Sequence, residues 1–136
     1  MGRPRKININ RYALLASVVT MYDRWLAEID GEMADALAKH TSRDPDGDFA
    51  WGRYCELKRE RDRLVAYGLP YSLEMFMGRD LTPSERIRAG EALRALHAEK
   101  LVRLDGLRAT HAMPLDAGRE YVAKMAASRT EATSDA

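Results

Sequence analysis

Three histidines, one cysteine and a run of aspartates are the side chains best equipped for catalysis or metal binding, and their spacing argues against both. His40, His97 and His111 lie far apart, with no carboxylate or cysteine at ligand spacing, so they suggest neither a general-base pair nor a zinc set. Cys55 is the single cysteine, which excludes an internal disulfide and fits a cytosolic chain. Asp44, Asp46 and Asp48 alternate as in a calcium loop. The sixth and twelfth positions counted from Asp44 should then be glycine and glutamate, but they are Phe49 and Cys55. A solvated turn that leads into the next helix is the better reading. No phosphate-binding glycine loop, nucleophile elbow or dinucleotide pattern occurs. The expectation is a protein that is not an enzyme, with no catalytic residue, no metal and no cofactor.

Charge is the remaining chemistry. The 136 residues carry a net charge of +1, so attraction to a polyanion depends on where the charges sit. Residues 1–11 hold Arg3, Arg5, Lys6 and Arg11 without an acid, whereas residues 12–48 hold three basic and eight acidic residues. Residues 12–22 are uncharged, but this run is too short to span a membrane and no small-residue cleavage site follows it. The chain is therefore expected to be cytoplasmic and to have no membrane partner.

The composition, 46% hydrophobic and 7% aromatic, suits a mainly helical single unit. From residue 11 to about 39, Leu15, Val18, Tyr22, Trp25, Ile29, Met33 and Ala36 recur at steps of three and four. This is one stripe of a long amphipathic helix. A helix of that length exceeds what a small core covers, so Leu15, Val18, Tyr22, Trp25 and Ile29 are expected to form a homodimer interface. Packing of the stripe on the chain's own helices is the alternative. Residues 49–67 form a second helix with Trp51, Tyr54, Leu57 and Leu64 on its apolar side. Its charged run, residues 58–63, fits a solvated face laced with ion pairs, the sharper alternative being phosphate contact. Ser72 caps a short helix over residues 73–77.

Thr82, Pro83 and Glu85 make a strong start for a helix running to about residue 100: an N-cap, a first-position proline and a capping-box glutamate. Glu85, Ala89, Ala92, Leu93 and Leu96 share its inner side, while Ile87 is expected to touch the short helix before it. A break at Gly90 is the alternative. Asp105-Gly106 between part-apolar runs predicts a two-residue hairpin turn. Asp116 then caps a last helix carrying Tyr121, Val122 and Met125, followed by a disordered tail over residues 127–136.

The run Ala92-Leu93-Arg94-Ala95-Leu96-His97-Ala98-Glu99-Lys100-Leu101-Val102-Arg103 resembles the recognition-helix end and first wing strand of bacterial winged-helix regulators of the multiple-antibiotic-resistance type. Leu115-Asp116-Ala117-Gly118-Arg119 resembles the junction after the wing. The likeness covers residues 81–125. It departs from the family at Lys100, where glycine is usual, at Asp116, where serine or threonine is usual, and at Gly90-Glu91, where a serine-arginine pair is common. The resemblance implies a mainly α fold with a small β-hairpin wing: a winged helix-turn-helix over residues 49–126, preceded by the long helix and loop of residues 11–48. It also implies a DNA face of Ser84, Arg88, Glu91 and Arg94 on the recognition helix, with Arg108 on the wing. Arginine can clamp guanine, and glutamate can accept from cytosine N4. Gly2-Arg3-Pro4-Arg5-Lys6 resembles an AT-hook core, which implies that Arg3, Arg5 and Lys6 lie along a minor groove as a flexible arm over residues 1–10.

These readings converge on a small homodimeric transcriptional regulator that binds double-stranded DNA in the nucleoid. The rival from another class is a phage- or plasmid-type oligomeric adaptor, similar to a small terminase subunit. A third is a regulator that senses a small-molecule effector, whose identity the sequence leaves open.

Overall fold

The computed structural model describes residues 9–41, 47–105 and 110–134, with side chains for the same residues except 47, 48 and 129–134. The first helix, α1 (Arg11–Thr41), starts where Asn10 accepts the backbone N–H groups of Tyr12 and Ala13 through its Oδ1 at 3.0 and 3.3 Å. These donors have no partner within the helix, so the cap fixes its first turn. With 31 residues, α1 spans about 46 Å.

The second helix, α2 (Gly47–Tyr67), packs along α1. Arg53 bonds Glu32 at 3.1 Å, Arg61 bonds Asp30 at 2.7 Å, and the Tyr22 hydroxyl donates to the Leu64 carbonyl at 3.4 Å. Contacts that advance along α2 retreat along α1, so the helices are antiparallel. The acidic stretch of α1 thus meets basic residues of α2, and these arginines are engaged inside the chain.

Beyond α2 come a short strand β1 (Leu69–Pro70), helices α3 (Leu73–Met77) and α4 (Pro83–Ala98), strands β2 (Val102–Asp105) and β3 (His111–Pro114), and helix α5 (Asp116–Ser134). The three strands form an antiparallel sheet in the order β1-β3-β2. Gly68 turns the chain from α2 into β1 at φ 98°, and a Cβ there would lie 2.7 Å from the Ala112 carbonyl carbon. Only glycine meets both demands.

Leu14, Leu15 and Val18 of α1, Leu57 of α2, Leu69 of β1, Leu93 and Leu96 of α4 and Val102 of β2 are the largest fully buried side chains. The long helix is therefore the centre of the core. This corrects the expected dimer surface: Leu15 and Val18 are 0% exposed within the single chain, and Tyr22 and Ile29 are also buried. Their apolar area is already covered, so in this fold they are not available to a second copy. Of the five residues only Trp25 stays accessible, at 41%.

Two further expectations are corrected. Register pairs Asp105 with His111, so Asp105 is the last residue of β2 and the connection spans residues 106–110 rather than a two-residue turn. Helix α4 runs unbroken through Gly90, with Ile87 62% exposed. The last helix continues to Ser134, so the chain does not lose structure at residue 127. The mainly helical fold with a small antiparallel hairpin agrees with expectation. Among the described residues no helix is long and apolar enough to cross a membrane.

Candidate nucleic-acid interface

The candidate surface is the outward face of α4, and several local devices hold that helix in place. At its N-terminus the Thr82 side chain accepts the Glu85 N–H at 3.2 Å, and Glu85 Oε1 accepts the Thr82 N–H at 3.1 Å. The reciprocal pair satisfies two backbone donors, as the threonine–glutamate spacing predicts. Arg79, in the turn between α3 and α4, adds an ion pair to Glu85 at 2.5 Å. The Arg79 hydrogen bond, with the Thr82 backbone second, holds the Glu85 carboxyl down to about 2. Arg86 pairs with Glu74 of α3, tying the short helix to the long one. Ser72 caps α3 by accepting the Met75 N–H at 3.2 Å, and Gly78 ends it at φ 71°.

The C-terminus of α4 is equally specified. Leu101 N–H bonds the Leu96 carbonyl and Lys100 N–H bonds the His97 carbonyl, each at 3.0 Å. This is a Schellman ending, with Lys100 in the left-handed region at φ 61°. A glycine at this position would meet the same backbone demand without a Cβ. His97 then reaches β2, its Nδ1 accepting the Leu104 N–H at 3.2 Å. The imidazole thus fastens the hairpin to the helix, a structural role that spacing alone did not reveal. His111, on β3, contacts Thr110 instead, with 2.9 Å between Nδ1 and Oγ1.

Helical periodicity then sets which side chains face water. Glu85, Ala89, Leu93 and Leu96 are buried, whereas Ser84, Arg88, Glu91 and Arg94 are all exposed and lie on the opposite side. Among the described residues neither Arg88 nor Arg94 forms an ion pair, so both guanidiniums keep their donors for a partner. Ile87 lies on this same face. Its signal in the sequence is an apolar residue out of phase with the core stripe. The other expected contacts, Arg3, Arg5, Lys6 and Arg108, lie outside the described residues.

Away from α4, Cys55 is half-buried in α2, and the His40 ring lies tilted against Trp51 with centroids 4.9 Å apart. Among the described residues no group of three or more histidine, cysteine, aspartate or glutamate side chains could hold a metal ion. Small cavities flank the helices. One of about 410 Å³ lies between Tyr12, Ala13 and Ala16 of α1 and Val122, Met125 and Ala126 of α5. Another, of about 330 Å³, lies between Trp25, Arg63, Pro70 and His111. No family model, curated protein or solved structure matches the chain.

Proposed function

We propose that this chain is a winged-helix DNA-binding protein acting as a small transcriptional regulator, with α4 as its recognition helix. The observation that carries the reading is the exposed set Ser84, Arg88, Glu91 and Arg94 on α4, which follows the short helix α3 across a turn. The order helix, strand, helix, helix, hairpin, with sheet order β1-β3-β2, is the arrangement a winged helix requires. In this reading α4 enters the major groove, the wing over residues 101–115 lies along the backbone, and the basic arm over residues 1–6 neutralises phosphates.

Selection of bound duplexes from a random pool tests it directly. Enrichment of a defined sequence is the expected outcome, and recovery of random sequence sinks the regulator reading. On an enriched duplex, Arg88→Ala and Arg94→Ala should each relax preference at one position, costing about 1–3 kcal/mol. Deleting residues 1–6, which removes three basic side chains, should reduce the salt slope of binding by about three.

A second reading, the oligomeric adaptor, is favoured by the aromatic end of α2, where Phe49 is 88% exposed and Trp51 is 46% exposed. Side chains of this kind suit a protein partner. Sedimentation mass separates the two: a dimer supports the regulator, whereas a ring of many subunits supports the adaptor.

A further inference from the structure

The face of α4 that bears the charged residues also bears Ile87. A single exposed aliphatic side chain is ordinary on a protein surface, but the position of this one is not. Among the described residues, the other large hydrophobic side chains with comparable exposure are Trp25, Leu37, Phe49, Trp51, Val65 and Tyr67, all on α1 or α2. Among the described residues from β1 onward Ile87 stands alone. It is the fifth residue of α4, in the N-terminal half of the helix. Ser84 lies three residues before it and Glu91 four residues after, so the three side chains are neighbours on one helical face.

An isolated aliphatic group among polar neighbours is too small to dock a protein, and it cannot hydrogen-bond to a phosphate. Glu91, one turn further along, would repel phosphate as well. This part of α4 is therefore chemically suited to base edges rather than backbone. In the major groove the apolar feature is the C5-methyl group of thymine.

We propose that Ile87 is a specificity-determining residue that packs on the 5-methyl group of a thymine in the target site. The assignment rests on the DNA-binding reading of α4 and extends it from charge to shape.

The test uses the full chain and the duplex it enriches from a random pool. Each thymine is replaced in turn by deoxyuridine, which lacks only the methyl group. The unaltered protein should lose about three- to fivefold in affinity at one position, the increment of a single buried methyl. Ile87→Ala should weaken binding to the parent duplex by a similar factor or more and become indifferent to that replacement. Ile87→Val should keep the sensitivity. Since Ile87 is largely exposed, the alanine variant should fold and melt as the parent does.

Insensitivity of the unaltered protein at every thymine overturns the assignment while leaving DNA binding intact. Unchanged deoxyuridine sensitivity in Ile87→Ala does the same. A change in oligomer mass in that variant would place Ile87 between copies of the chain, again against the assignment. Failure to enrich any duplex removes both this inference and the reading beneath it.

Discussion

Glu85 is held by two kinds of bond, and only one depends on a full negative charge. Its carboxylate accepts from the Thr82 backbone within α4's capping box and pairs with Arg79 across the preceding turn. With the folded carboxyl held down to about 2 against an ordinary 4.5, its contribution is complete above about pH 4.5. It is lost as pH falls through 2, because the unfolded chain takes up the proton first. Glu85→Gln keeps a cap acceptor but loses the ion pair. The variant should melt below the parent at pH 7, and the gap should close as both are titrated toward pH 2, a series that thermal melts at stepped pH will trace. A gap independent of pH would mean that the cap alone matters. Lys100 is the opposite case, a residue that costs stability where it stands. Its left-handed backbone burdens any side chain with a Cβ, so Lys100→Gly should raise stability by about 1 kcal/mol in denaturant titration.

At the scale of elements, the docking of α5 turns on one missing atom. A Cβ on Gly118 would lie 2.1 Å from the Leu101 carbonyl oxygen, which already accepts the Leu115 N–H at 3.1 Å. The start of α5 therefore lies against the residue leading into β2, and the Arg119–Asp23 pair at 2.7 Å and the Tyr12–Tyr121 stack bind it to α1. Gly118→Ala should cost about 3 kcal/mol, measured by chemical unfolding, because backbone cannot yield as a side chain does. What could be read from sequence follows the same division between local and distant causes. The caps at Ser72 and Thr82 were legible because every partner lies within three residues, and the polar face of α4 because helical period alone sets it. Strand β1 was not legible. Its two residues become a strand only because Ala112 and His111 arrive beside them, a contact some forty positions away. The hairpin was foreseen but its turn was not, since pairing of Asp105 with His111 outweighed the local preference of Asp-Gly.

For the whole molecule, the decisive fact is what covers α1. An amphipathic stripe shows that an apolar face must be covered, but not by which neighbour, so Leu15, Val18, Tyr22 and Ile29 read equally well as an interface or a core. Here α2, α4, α5 and the sheet all contact this helix, and it joins residues 49–126 into one core. The two alternatives predict different thermodynamics. If the stripe joined two chains, truncating it would separate them, and the loss would depend on protein concentration. Because Leu15 is fully buried within one chain, Leu15→Ala should instead lower unfolding free energy by about 3 kcal/mol. The loss should be the same at low and high protein concentration, and sedimentation mass should be unchanged under native conditions. A loss that shrinks as concentration rises, or a drop in mass, would return this stripe to the surface between subunits. Constant loss would leave the exposed side chains, Trp25 and the end of α2 among them, as the places where a second chain could bind.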